Sequence, residues 1–328
     1  MEQNNMLILG LYAAGLAAAG LLYAYRLGKA GEKRLCALIS MILGLPLAYA
    51  GAKLFFLLHN IGMDIRNWSA ETLFQLRWEE LSFSGGCLGF VLGVWIAARI
   101  MRIPGKKALD LFAVPGCILI AFARMAEAGM ETIGQGDMPS FLPEVFPFAL
   151  TDDWGSMLAV FTLEALAALL CALWLTLTRN KAERPGMVFG KACMVLCCAQ
   201  LFLEMLVVNY WIPFIISFIH LDQVICAVVA LVLIVRWSLR NKKAGPVIVT
   251  VLLIGLNALM QFVQDKPYLF HLPEEMDAGA LALVVFALCS AGMIAAGLWA
   301  AGKDHSASVA SSDSVAPGPK NELSTKGS

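Results

Sequence analysis

Residues 82–99 read SFSGGCLGFVLGVWIAAR: a serine and two adjacent glycines open an apolar run that closes on an arginine. A run of this kind reads as a helix crossing a bilayer, which takes about 20 predominantly apolar residues. A backbone facing lipid must satisfy its own hydrogen bonds, so the run has to be helical. Similar runs recur on both sides of it. The 328-residue chain is 59% hydrophobic and only 15% charged, with a mean hydropathy of +0.74. Soluble domains carry about 25% charged residues, so the deficit marks a polytopic membrane protein. The formal net charge is zero, so no global basic surface argues for nucleic acid.

About nine spans are expected, near residues 6–24, 38–58, 84–101, 108–127, 155–177, 187–208, 216–236, 245–263 and 280–300. The fold class is therefore an all-α polytopic membrane helix bundle. The first run is read as a retained anchor, because it lacks the basic leader and small-residue cleavage site of a signal peptide. Loops alternate in charge. Basic clusters around Arg26–Arg34, Arg99–Lys107, Arg179–Lys191 and Arg236–Lys243 alternate with acidic loops at 64–80, 137–153 and 265–277. The positive-inside rule then puts the N-terminus outside and the C-terminus in the cytosol. Residues 303–328, rich in Ser, Ala, Pro and Lys, read as a disordered cytosolic tail. The long outer loop carries LPEVFPF (residues 142–148), whose prolines and aromatics suit a segment on the membrane surface. Seven of the nine cysteines lie inside apolar runs and read as small hydrophobes. Cys197 and Cys198 lack partners at ligand spacing, so neither a metal nor a cofactor is expected.

With this orientation, polar residues from four spans reach the outer half of the bilayer. They are Ser84, Gly85 and Gly86; Arg124 and Glu127, three apart on one helix face; Gln200 and Glu204, one turn apart; and His220, Asp222 and Gln223. Charges at such depth cost a few kcal/mol unless they pair or face water. Two readings follow. Arg124 pairs with Glu127 or Glu204 and locks the bundle, or it holds an anion in a polar cavity, a phospholipid head group being the nearest. The glycines fit both readings. Backbone N–H groups at a helix start bind phosphate, while Gly85, Gly89 and Gly93 have the spacing of close helix packing. Glu164 reads as a mid-span structural hydrogen bond. Lys53 either snorkels or adds a second positive charge to the cavity.

These residues resemble the motifs of the prolipoprotein diacylglyceryl transferase family. SFSGGCLG is similar to that family's SFHGGLxG, and ALDLFAVPGCILIAFAR to ADLxAPxxPxGxxxGR. ARMAEAGMETIG stands where GRIGNFxNGExxG is expected, one residue shorter, with Arg124, Glu131 and Gly134 on the motif's arginine, glutamate and last glycine. PEVFP resembles WGVVFP, QLFLE resembles RFxxE with Glu204 on its glutamate, HLDQ resembles MGQ with Gln223 on its glutamine, and GAKLFFLLHN resembles GARLGYxLFY. The likeness covers roughly residues 1–238, a seven-helix membrane domain. Residues 239–302 would add two further helices.

The resemblance implies an enzyme of the bacterial plasma membrane. It would transfer diacylglycerol from phosphatidylglycerol to the lipobox cysteine of a prolipoprotein, its partners being that lipid and the prolipoprotein signal peptide. Arg124, Glu127, Glu204 and Ser84 are the implied catalytic set, and Gly85, Gly86, Glu131, Gly134, Gln200, Gln223 and Lys53 the implied binding set. The pattern departs in its chemistry. Ser84 replaces the family's histidine, Glu127 an asparagine, Gln200 an arginine, Lys53 an arginine and Ala123 a glycine. A thiol of pKa about 8.5 must still lose its proton, and Ser84 is no base at neutral pH. Glu127, Glu204, His59 and His220 are the candidates. Two other functions stay open: a catalytically impaired homologue serving as a lipid-binding or accessory protein, and a transferase using another lipid or acceptor.

Overall fold

The computed structural model describes residues 2–59, 81–129, 135–136, 138, 142–152, 155–178, 184–207, 219–265 and 278–302. Among these residues, nine helices are long and apolar enough to cross a membrane. They are α1 (Glu2–Lys29), α2 (Leu35–His59), α3 (Phe83–Ile100), α4 (Gly105–Ala126), α5 (Val160–Leu177), α6 (Met187–Leu203), α7 (Leu221–Asn241), α8 (Gly245–Asp265) and α9 (Ala278–Ala301). Leucines turned away from the bundle, such as Leu166, Leu169, Leu170 and Leu173 on α5, are exposed. This is the surface that lipid covers in a membrane. The tail after residue 302 lies outside the described residues, as do the acidic loops at 60–80 and 266–277.

Helix ends follow local chemistry. Ser82 caps α3, its hydroxyl accepting from the Gly85 N–H at 3.2 Å. At the start of α6, Gly186 takes a φ of 92° that favours glycine. Asp110 of α4 reaches across to that helix start and accepts from the Gly186 N–H at 2.5 Å and the Phe189 N–H at 2.9 Å. A carboxylate there satisfies two orphan donors and meets the positive end of the helix dipole. The ALDLF motif thus owes its aspartate to a helix-to-helix clasp.

Two spans start later than the sequence predicts. The fifth, expected from residue 155, is preceded by a strand, β3 (Gly155–Ala159). It pairs antiparallel with β1 (Gln135–Gly136) and β2 (Ala149–Asp152), with Ala149 opposite Leu158 and Asp152 opposite Gly155. Short apolar strands and helix starts are not separable by periodicity. The small sheet therefore went unforeseen beside an otherwise helical bundle. The seventh span, expected from residue 216, starts as a helix at Leu221.

Helices α2 and α3 approach backbone to backbone. A Cβ at Gly89 would collide with the Leu47 carbonyl, one at Gly93 with the Gly44 backbone, and one at Gly85 with the Gly51 carbonyl. The seam uses the small residues that let membrane helices pack backbone to backbone. Behind it lies an aromatic cluster. Phe90 stacks on Phe112 at 5.7 Å between centroids, and Tyr23 meets Phe112 edge-on at 5.3 Å. A second core joins Met194 and Cys198 of α6, Ala230 and Ile234 of α7, and Met293 of α9. The two helices after residue 239 share that core with α6 and α7.

Gly89→Val is expected to destabilise the protein by roughly 1–3 kcal/mol through overpacking, read as a lower thermal unfolding temperature in detergent. Asp110→Ala should cost about 1 kcal/mol or more, the value of a lost cap, by the same measurement. A Gly89→Val protein that unfolds at the wild-type temperature would refute the seam.

Candidate functional site

The start of α3, the end of α4, the start of α5, the end of α6 and the start of α7 lie at one end of the bundle. Arg124, in the last turn of α4, is buried there. Its Nη1 donates to Glu127 Oε1 at 2.7 Å, a pair three residues apart on the same face. Its Nε lies 3.0 Å from Glu164 Oε2 on α5, an ion pair without hydrogen-bond alignment. The Phe83 ring lies 3.5 Å from the guanidinium carbon and covers one face. Arg124, Glu127 and Glu164 are 8%, 6% and 5% exposed, so these charges are compensated by one another rather than by water.

The line continues across α6. The Gln200 amide nitrogen donates to Glu164 Oε1 at 2.6 Å and to Glu204 Oε2 at 2.9 Å. Glu204 Oε1 lies 3.1 Å from Nδ1 of His220, the buried residue just before α7. The His220 backbone N–H donates to Gln223 Oε1 at 3.1 Å, and the Gln223 amide donates to the Met205 sulfur at 2.8 Å. The same sulfur meets the amide of Gln261, from α8. Glu127, Arg124, Glu164, Gln200, Glu204 and His220 therefore form one chain of contacts spanning four helices.

Asp222 ties this chain to α3. Its carboxylate is 3.5 Å from the Ser82 hydroxyl and within hydrogen-bonding reach of Ser84. Tyr12 of α1 is close enough to act electrostatically on both Arg124 and Glu127. The end of the bundle thus gathers four carboxylates around one guanidinium and one imidazole.

Six of the residues singled out from the sequence meet here: Arg124, Glu127, Gln200, Glu204, Gln223 and, through Asp222, Ser84. The two glycines are placed differently from a phosphate cradle. The Gly85 N–H is taken by the Ser82 hydroxyl, and the Gly86 N–H by the Ser82 carbonyl at 3.0 Å. Both glycines face α2. Lys53 is buried and engaged on the part of α2 that packs against α3. Glu131 and Gly134 lie outside the described residues, as does the side chain of His59.

Glu164 lies in the site, nearer to Arg124 than a mid-span position would allow. Counting the span from residue 155 put it at mid-membrane; with α5 starting at Val160 it sits in the first turns, level with Arg124. The available signal was its charge. A carboxylate in an otherwise apolar run needs a partner, and Arg124 was the nearest cation in depth.

Replacing Arg124 by Met would leave Glu127 and Glu164 buried without their cation. The expected loss of stability is about 3–5 kcal/mol, larger than for Glu164→Gln, which leaves the Arg124–Glu127 pair in place. Thermal unfolding of the two variants in the same detergent checks the order.

A profile of the family described as prolipoprotein diacylglyceryl transferase matches residues 9–239. No curated protein and no solved structure matched the chain. The match runs from α1 into the last turn of α7 and contains every link from Glu127 to His220. The chain belongs to this family.

Proposed function

We propose that this member of the prolipoprotein diacylglyceryl transferase family is a multi-pass enzyme of the bacterial plasma membrane. It moves diacylglycerol from a glycerophospholipid to the lipobox cysteine of a prolipoprotein. The observation that supports this most is Arg124. It stands on the family motif's arginine and is held at one end of the bundle by partners on two helices. Of its five N–H donors, Glu127 and Glu164 engage two sites, and the remaining donors can meet a phosphate.

The cysteine sulfur attacks the glycerol carbon that bears the phosphate; an S–C bond forms as the C–O bond breaks. The bonding pair leaves on the phosphate oxygen, whose growing charge Arg124 stabilises. The thiol proton goes to a base. His220 takes this role, because Glu204 lies on its Nδ1 and so favours the tautomer whose Nε2 accepts a proton. Gln200 holds Glu204 for that task, and Gln223 holds the His220 backbone. Ser84 supports Asp222 rather than acting as a base itself. The resemblance points to phosphatidylglycerol as donor, although the step itself requires only a phosphate on the glycerol carbon. A second reading, a lipid-binding protein without transfer chemistry, is favoured by one observation: Glu127 and Glu164 already neutralise Arg124.

In proteoliposomes with a lipobox peptide, the wild-type protein is expected to add the mass of a diacylglyceryl group. Arg124→Lys should lower the rate by about 100-fold. His220→Gln should lower it by a similar factor of about 100, with KM little changed and partial rescue by added imidazole. A folded wild-type protein that gives no thioether where a reference transferase does would select the lipid-binding reading.

A further inference from the structure

We infer that Glu164 is a positioning residue for the reaction: it orients the base His220 through Gln200 and Glu204. The inference rests on the transferase reading and deepens it at that same site.

Glu164 is 5% exposed, and its two oxygens meet different partners. Oε2 stands 3.0 Å from Arg124 Nε without hydrogen-bond alignment, so it offers Arg124 charge alone. Oε1 accepts a bond of 2.6 Å from the Gln200 amide nitrogen. Arg124 has other holds, Glu127 Oε1 at 2.7 Å and the Phe83 ring over its guanidinium. Gln200 has no such reserve. Among the described residues its side chain bonds to Glu164 and Glu204 alone.

A primary amide carries two N–H hydrogens at one end and a carbonyl oxygen at the other. The nitrogen of Gln200 sits between two carboxylates and donates to both. Turned the other way, its carbonyl would face acceptor oxygens on both sides. The two acceptors together therefore fix the amide. Glu204 Oε2 is held by this nitrogen at 2.9 Å, which leaves Oε1 aimed at His220 Nδ1, 3.1 Å away. Without the acceptor on α5 the amide is free to rotate, and Glu204 loses its hold. The imidazole then loses the acceptor that keeps hydrogen on Nδ1 and Nε2 open to the thiol proton.

The bond at Oε1 requires an acceptor oxygen at a set reach; it does not require a charge. Glutamine at position 164 supplies that oxygen, at the expense of the ion pair with Arg124. Aspartate keeps the carboxylate but is one methylene, about 1.5 Å, shorter. Its oxygen falls outside hydrogen-bond range of Gln200. Leucine keeps the bulk and has no acceptor. A residue that only neutralised Arg124 would show the reverse order, with aspartate the better substitute.

The test reads the histidine directly. Nitrogen NMR spectra are recorded in detergent at alkaline pH, where imidazole is neutral, on protein with isotope-labelled histidine. The chain has four histidines, and the His220 signals are those that H220Q removes. The wild type and E164Q are expected to show one tautomer at His220, with hydrogen on Nδ1; E164D and E164L should show a mixture. In proteoliposomes, kcat per folded protein should stay within about threefold of wild type for E164Q. For E164D and E164L it should fall about tenfold or more, with KM little changed. If E164L does not fold, the glutamine and aspartate variants decide between the two orders. A His220 spectrum that does not separate E164Q from E164D overturns the inference, and so does E164D turning over faster than E164Q. Spectra in the expected order, with no transfer by the wild type, overturn the transferase reading alone.

Discussion

An arginine at membrane depth must be neutralised where it stands, and the site end of this protein is organised around that requirement. The cost of an isolated charge there is about 2.5–3.5 kcal/mol by insertion scales and more by others, a large part of a domain's total stability. Arg124 meets it with one carboxylate from its own helix end and another from α5. Each carboxylate then has further oxygens to satisfy. Gln200 serves Glu164 and passes the obligation to Glu204, which engages His220. The chain of contacts is the trail of that one charge through four helices.

Holding such a trail in register requires helices that do not slide. The glycine seam between α2 and α3 fixes the depth at which α3 begins, and thereby sets Phe83 over the guanidinium. At the far end of α4, Asp110 fastens the first turn of α6. Arg124 and Gln200 thus project from helices that are clasped at one end and linked through Glu164 at the other. A membrane interior gives little hydrophobic drive between helices, so contacts of these two kinds carry the specificity of packing.

Much of this was legible in the sequence, because composition dictates the class and helix length dictates the spans. The convergence of Arg124, Glu127, Gln200 and Glu204 followed from alternating loop charge and counted depth. Depth counting failed where the chain changed period. GSMLA is as apolar as the helix it leads into, so the strand at Gly155–Ala159 was absorbed into the span and Glu164 was displaced toward mid-membrane. The glycines of SFSGG illustrate a different limit. Their spacing suits both anion binding and close packing, and only the Ser82 cap shows that the Gly85 and Gly86 amides have partners within the chain. Pairing across helices, such as His220 with Glu204, leaves no periodic trace at all.

The thioether of Met205 has a consequence for assembly. It receives amides from Gln223 on α7 and Gln261 on α8, and Gln261 in turn donates to Asn257 at 3.1 Å. Both α8 residues are buried within a helix that lies beyond the family match. Such amides are poorly suited to lipid, so α8 has a reason to dock as soon as it enters the membrane. Synthesis proceeds from the N-terminus, and Arg124 is therefore in the membrane long before Gln261 emerges. The Gln223 side of the network waits on α8 for the Gln261 amide, so that part of the polar site is completed only after the helices of the family match have entered.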